Sequence, residues 1–199
     1  PPANGLPTRG EGNRAGLPTT STIMFGHLEN YTHWARHLLR LRGLQVETGG
    51  ITEFVPLPFV HMEAPMYLRG KARKGPTLRE AILMHAVARL VLHPLIPNVQ
   101  ASWTKLGPEW AQRALQSGAN DLGGTLMNES ISRAAGASHG QEFTPQQMEA
   151  LIVSTDRKPM QRTTLYQPVG DERHQAALNA TELAEPQFGK VTSKVVSFV

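Results

Sequence analysis

The chain has no cysteine, so it can form no disulfide and cannot hold zinc or an iron–sulfur cluster through thiolates of its own. It also has no long apolar run. The longest, Ala81 to Leu92, is broken by His85 and Arg89 and is too short for a bilayer-spanning helix. Residues 1–20 carry Pro, Gly and Arg without the apolar centre of a secretory signal, and the expected location is the cytoplasm, with no membrane partner. Aromatic residues make up only 6%, and none interleaves the basic run Arg69, Lys71, Arg73 and Lys74. A nucleic-acid partner is therefore not expected, despite a net charge of +4, and the run reads as a solvated loop.

What remains is the composition of a globular domain or a large piece of one: 199 residues, 40% hydrophobic and 18% charged. Short β-rich runs alternate with helical patterns, which predicts an α/β fold of about four βα units with a parallel sheet. The first strand is expected at Thr19 to Phe25. Its helix, from Tyr31 to Arg42, is capped by Asn30 and buries Trp34, Leu38 and Leu41. A second strand is read at Thr52 to Leu57, and Thr77-Leu78-Arg79-Glu80 is a capping box opening the second helix, with Ala81, Ile82, Val87, Leu90 and Val91 as its core face. A third strand is expected at Asn98 to Trp103, followed by a helix with Pro108 in its first turn and Gly118 at its end. A fourth strand is read at Ala119 to Gly123, with its helix starting at the capping box Thr144-Pro145-Gln146-Gln147.

The strand-to-helix segments Pro58 to Pro76 and Gly124 to Phe143 run to about twenty residues, longer than ordinary connections. In a βα barrel such loops gather at the carboxyl ends of the strands, where barrel enzymes keep their sites. Four units make half of an eightfold barrel, and open strand edges call for a completing partner. Residues 1–13 and 174–199 show no matching pattern and are read as unordered or foreign to a domain spanning 14–173.

Polar residues near the predicted strand ends, among them Glu29, His61, Glu63, Gln100, Ser102, Lys105, Asp121, Asn128, Glu129 and His139, are candidates for a shared mouth. Asn120 to Ser130 is the densest polar stretch, and Asp121 and Asn128 suit a pocket and a self-capped loop equally well. His33 and His37 have helical i, i+4 spacing but lack the Glu and third ligand of a zinc protease, and they read as surface residues.

Two segments carry a family resemblance. Thr52-Glu53-Phe54-Val55-Pro56-Leu57-Pro58-Phe59-Val60-His61-Met62-Glu63-Ala64-Pro65, and Asn120 to Ser130 continued through Ile131-Ser132-Arg133-Ala134-Ala135-Gly136-Ala137-Ser138-His139-Gly140, resemble radical S-adenosylmethionine enzymes of the FO synthase family. The resemblance spans about Arg14 to Arg173. It implies the C-terminal half of a radical SAM TIM-type (β/α) barrel that uses S-adenosylmethionine and a [4Fe-4S] cluster. The implied reaction joins a tyrosine-derived 4-hydroxybenzyl group to 5-amino-6-(D-ribitylamino)uracil, with a companion radical SAM enzyme or domain closing the deazaflavin ring. It places Thr22, Met24, Gly26 and Glu29 beside S-adenosylmethionine, although Thr22 and Met24 depart from the family pattern. His61, Asn128 and Glu129 are its catalytic candidates, and Glu63, Gln100, Ser102, Asp121 and His139 would bind substrate. The family's three-cysteine motif is absent, so these residues alone are expected to be an inactive fragment lacking the N-terminal half barrel. A menaquinone-pathway relative and a noncatalytic half barrel are the alternatives.

Overall fold

The computed structural model describes residues 5–126, 129–137 and 142–181. Its order is α1 (Gly5–Arg14), β1 (Thr19–Phe25), α2 (Tyr31–Thr48), β2 (Ile51–Pro58), α3 (Pro65–Leu68), α4 (Leu78–Leu92), β3 (Asn98–Val99), α5 (Trp103–Gln116), α6 (Ile131–Ala134), α7 (Pro145–Val153) and α8 (Asp171–Leu178). The three strands form one parallel sheet in the order β1-β2-β3, so the fold is α/β as expected.

Alternation along the strands sorts two faces. Ile23, Phe25, Phe54 and Val99 face a core built with Trp34, Leu38 and Leu41 of α2, Ala81, Met84 and Ala88 of α4, and Ala111, Ala114 and Leu115 of α5. Thr20, Thr22 and Met24 of β1 lie on the opposite, more open face, where Thr20 is exposed, Thr22 half-buried and Met24 49% exposed.

Local signals held where they were local. Asn30, Thr77 and Thr144 each close a capping box at the helix they were expected to start. The α2 helix runs one and a half turns past Arg42 because Gln45 is itself a tie: its Oε1 accepts from Ile51 N at 2.7 Å and its Nε2 donates to Ile51 O and Leu95 O. In α4 the buried stripe is Ala81, Met84, His85, Ala88 and Leu92, and Leu90 is 81% exposed, so the true face is rotated from the one read in the sequence.

The third and fourth strands are the corrections. The third stops at Val99, and Trp103 starts a helix. Its ring packs against Phe143, and its Nε1 donates to Gly124 O at 2.9 Å. Helix α5 breaks at Gly107, φ 73° and ψ 166°, and resumes at Pro108, where the sequence placed its start. The fourth strand is reduced to one parallel bridge, Gln100 with Asp121. Ala101 N bonds Asp121 O, but the Asp121 side chain then accepts from Gly123 N at 2.6 Å and turns the chain out of the sheet.

Two helices occupy segments read as unordered. Asn13 in α1 is buried, accepting from Thr19 Oγ1 at 3.0 Å and donating to Thr48 Oγ1 at 3.2 Å. In α8, His174 Nε2 lies against Glu149 Oε1 of α7.

Candidate functional site

The long connectors do meet on one rim, at the carboxyl ends of β1 and β2. Phe59 N donates to Phe25 O at 2.9 Å, Arg73 N to His27 O at 3.0 Å, and Glu63 N to Ala135 O at 2.9 Å. These bonds lock the loop after β1, the loop after β2 and the 129–137 segment together. Between them lies a cleft of about 280 Å³, lined by Met24, Pro58 to Val60, Glu63 to Pro65, Lys105, Ile131, Ala134 and Ala135. Its walls are mainly apolar, with Glu63 and Lys105 as the charged groups, the usual make-up of a small-molecule site. The Lys105 ammonium donates to Ser132 Oγ, and this bond fixes α6 against α5.

The expected site residues do not all fall in one place. Met24 and Glu63 line the cleft, and His61 stands in the same loop, edge-on to Tyr67 at 4.7 Å. Glu129 supports the wall: its carboxylate accepts from Ser132 N at 3.1 Å through either oxygen, at the start of α6. Thr22 sits two residues before Met24 on the more open face of β1. Asn128 and His139 lie outside the described residues.

Gly26 and Glu29 shape the turn below the rim. Gly26 has φ 93°, and a Cβ there would come within 2.3 Å of Pro76 Cδ, so the space beside it belongs to Pro76. The Glu29 carboxylate is turned into its own loop, accepting from the backbone of Gly26, His27 and Leu28 and from Trp34 Nε1 at 2.8 Å. Burial works to raise its pKa, yet these hydrogen bonds outweigh that and hold it at about 2. Ser102 is buried at the start of α5, 3.2 Å from Thr104 Oγ1.

Gln100 and Asp121 belong to a second cluster, deeper on the sheet, that the sequence reading missed. Gln100 Nε2 donates to Glu53 Oε2 at 3.2 Å, and Arg162 bonds Asp121 through both Nε and Nη2 while Nη2 also reaches Glu53 Oε1 at 3.5 Å. The Tyr166 ring lies 4.3 Å from the Arg162 guanidinium carbon. Glu53 is 3% exposed. Burial and then the neighbouring Asp121 raise its pKa, with Arg162 opposing them. A carboxylate inside the apolar strand 51–58 was the signal available in the sequence, since a buried charge needs a partner.

A family model of the CofH/MqnC C-terminal region matches residues 48–175, which takes in the loop after β2, the 129–137 segment and the second cluster, but not β1 and its loop. The chain belongs to this family. Among curated relatives of this CofH/MqnC region, it is 56% identical over 154 residues to the 5-amino-6-(D-ribitylamino)uracil--L-tyrosine 4-hydroxyphenyl transferase of Methanopyrus kandleri, covering 77% of this chain and 42% of that protein. It is 54% identical over 162 residues to the FO synthase of Streptomyces coelicolor, covering 81% of this chain and 19% of that protein. The transferase of Methanocaldococcus jannaschii is 49% identical over 156 residues, with 78% and 44% covered. The chain thus spans less than half the length of each of these relatives. No helix among the described residues is long and apolar enough to cross a membrane.

The donor set of this CofH/MqnC region does not fit an iron–sulfur cluster. It has no cysteine, and no group of three or more His, Asp or Glu among the described residues is placed to hold a metal.

Proposed function

We propose that these residues form the C-terminal half of a radical SAM barrel that transfers a tyrosine-derived 4-hydroxybenzyl group to 5-amino-6-(D-ribitylamino)uracil. The observation that carries the reading is the coincidence of two things: identity of about half or more to proteins named for that reaction, and a cleft formed by the same segments at the carboxyl rim of a parallel sheet. The more open face of β1 suits the interior of such a barrel, with the other half lying against it.

In this reading the cluster is held by cysteines outside these residues. The region contributes positioning and exclusion of water. Thr22 and Met24 flank S-adenosylmethionine, while Gly26 and Glu29 hold the turn beneath it. Glu63 and Lys105 supply the polar contacts in an otherwise apolar cleft, with His61 beside them. Glu129 sets α6 as the far wall, and Asn128 and His139 come from the same loop. A ring-closing radical SAM partner or domain completes the deazaflavin.

The test is a chimera in which this chain replaces the matched region of the Methanopyrus kandleri transferase. With S-adenosylmethionine, a reductant, tyrosine and the aminouracil, mass spectrometry is expected to find the coupled product. Within that chimera Glu129→Ala is expected to lower kcat about tenfold, the scale of a mispositioned wall. A chimera that carries an intact cluster and cleaves S-adenosylmethionine, yet makes no product from tyrosine and the aminouracil, overturns the substrate assignment.

A further inference from the structure

The second cluster has a geometry that the transfer reaction does not explain. Residues 161–169 fold back on themselves: Arg162 pairs antiparallel with Pro168, Thr163 N donates to Gln167 O at 2.8 Å, and Val169 N donates to Gln161 O at 3.2 Å. At the tip, Tyr166 takes φ 61°, a left-handed conformation that a tyrosine adopts only under constraint. The constraint is visible. Its ring is held under the Arg162 guanidinium, 4.3 Å from the guanidinium carbon. Burial, then the charge of Glu53, push the Tyr166 pKa up to about 12, so the phenol stays a hydrogen-bond donor.

We propose that Arg162 is a positioning residue for the rim: carried in on this hairpin, its guanidinium clamps Asp121 and Glu53 and so fixes the turn from which the Gly124 to Phe143 loop departs. The chain of contacts is short. Asp121 takes two bonds from Arg162 and accepts from Gly123 N at 2.6 Å. Gln100, bonded to Glu53, packs against Gly123 so closely that a Cβ there would lie 3.1 Å from its amide. Gly124 O is then held by Trp103 Nε1, and beyond it the same loop reaches Glu129 and α6, the cleft wall. One cation spanning two carboxylates, Glu53 on β2 and Asp121 at the isolated bridge beyond β3, needs the planar fork of arginine. A lysine keeps the charge but cannot make the paired bonds to Asp121 while reaching Glu53.

The inference rests on reading the rim as the site, so the test has one arm that does not. By hydrogen exchange on the 199-residue chain, Arg162→Lys is expected to speed exchange of the Gly123 amide about tenfold or more, the fold-change of losing one charge-assisted bond, while amides of α4 are unchanged. Unchanged exchange at Gly123 overturns the proposal whether or not the chimera is active. In a chimera that makes product, Arg162→Lys is expected to lower kcat about tenfold with KM for the aminouracil within about twofold, the pattern of lost alignment. Full kcat, or a loss confined to KM, overturns it. An unproductive wild-type chimera with fast exchange in Arg162→Lys instead faults the assigned reaction and leaves the clamp standing.

Discussion

His37 and Glu29 give the molecule two separate acid sensitivities. Burial, and then the charges of Arg9 and Arg40, depress the His37 pKa from 6.5 to about 4, so the folded state resists a proton that the unfolded chain takes up. Stability is therefore full above pH 6.5 and falls as pH drops toward 4. Glu29 is depressed from 4.5 to about 2, so its contribution is present above 4.5 and disappears as pH falls toward 2. His37→Gln is expected to flatten the upper window and Glu29→Gln the lower, each by about 1–2 kcal/mol once solvent screening is allowed for. Urea unfolding across the pH range checks both, and a variant that leaves its own window unaltered refutes the assignment for that residue. At this scale the sequence was partly legible. His33 and His37 read as surface residues; His33 is indeed exposed, where it closes the α2 capping box through its Nδ1, whereas His37 is half-buried beside Phe54. Gln100 and Asp121 were flagged as polar and near strand ends; Gln100 directly follows β3, whereas Asp121 keeps only an isolated bridge to it. Their partner Arg162 lies 109 residues from Glu53, and no local pattern joins such a pair.

Among the elements, those whose start is written in three or four adjacent residues were readable, and those that depend on tertiary pairing were not. Thr77 with Glu80 and Thr144 with Gln147 meet across one turn, so spacing alone places them. The run from Asn98 to Trp103 is apolar enough for a strand, but Trp103 is drawn into α5 by its contacts with Gly124 and Phe143, and that competition is invisible locally. Helix α5 survives its break because Gly107 adopts φ 73° and ψ 166°, a region essentially closed to residues with a Cβ. Gly107→Ala is expected to cost about 1–3 kcal/mol. Gly43, exposed inside α2 with nothing within 4 Å of its missing Cβ, provides the contrast: Gly43→Ala is expected to stabilise by about 0.5–1 kcal/mol. Thermal unfolding of the two variants decides the matter, and shifts of the same sign would contradict the backbone argument.

For the whole molecule, the parallel order β1-β2-β3 among the described residues leaves β1 at an edge, with Thr20 and Met24 exposed and Thr22 half-buried on the face opposite the α2 and α4 core. An exposed edge and a more open face on the same strand suit a sheet that continues, which is what the half-barrel reading requires. Backbone direction makes this testable at single amides. Phe25 O accepts from Phe59 N, so Phe25 points toward β2, and by alternation the N–H groups of Met24 and Thr22 point outward from the sheet. In the 199-residue chain those two amides are expected to exchange at nearly unprotected rates while Ile23 is protected. In the chimera a strand from the other half would pair with them, slowing their exchange by about a hundredfold or more, the scale of a buried ladder bond that opens only with its sheet. If Thr22 and Met24 exchange equally fast in a chimera that makes product, no strand docks on β1. The reaction would then have to be built on some architecture other than a barrel completed at that edge.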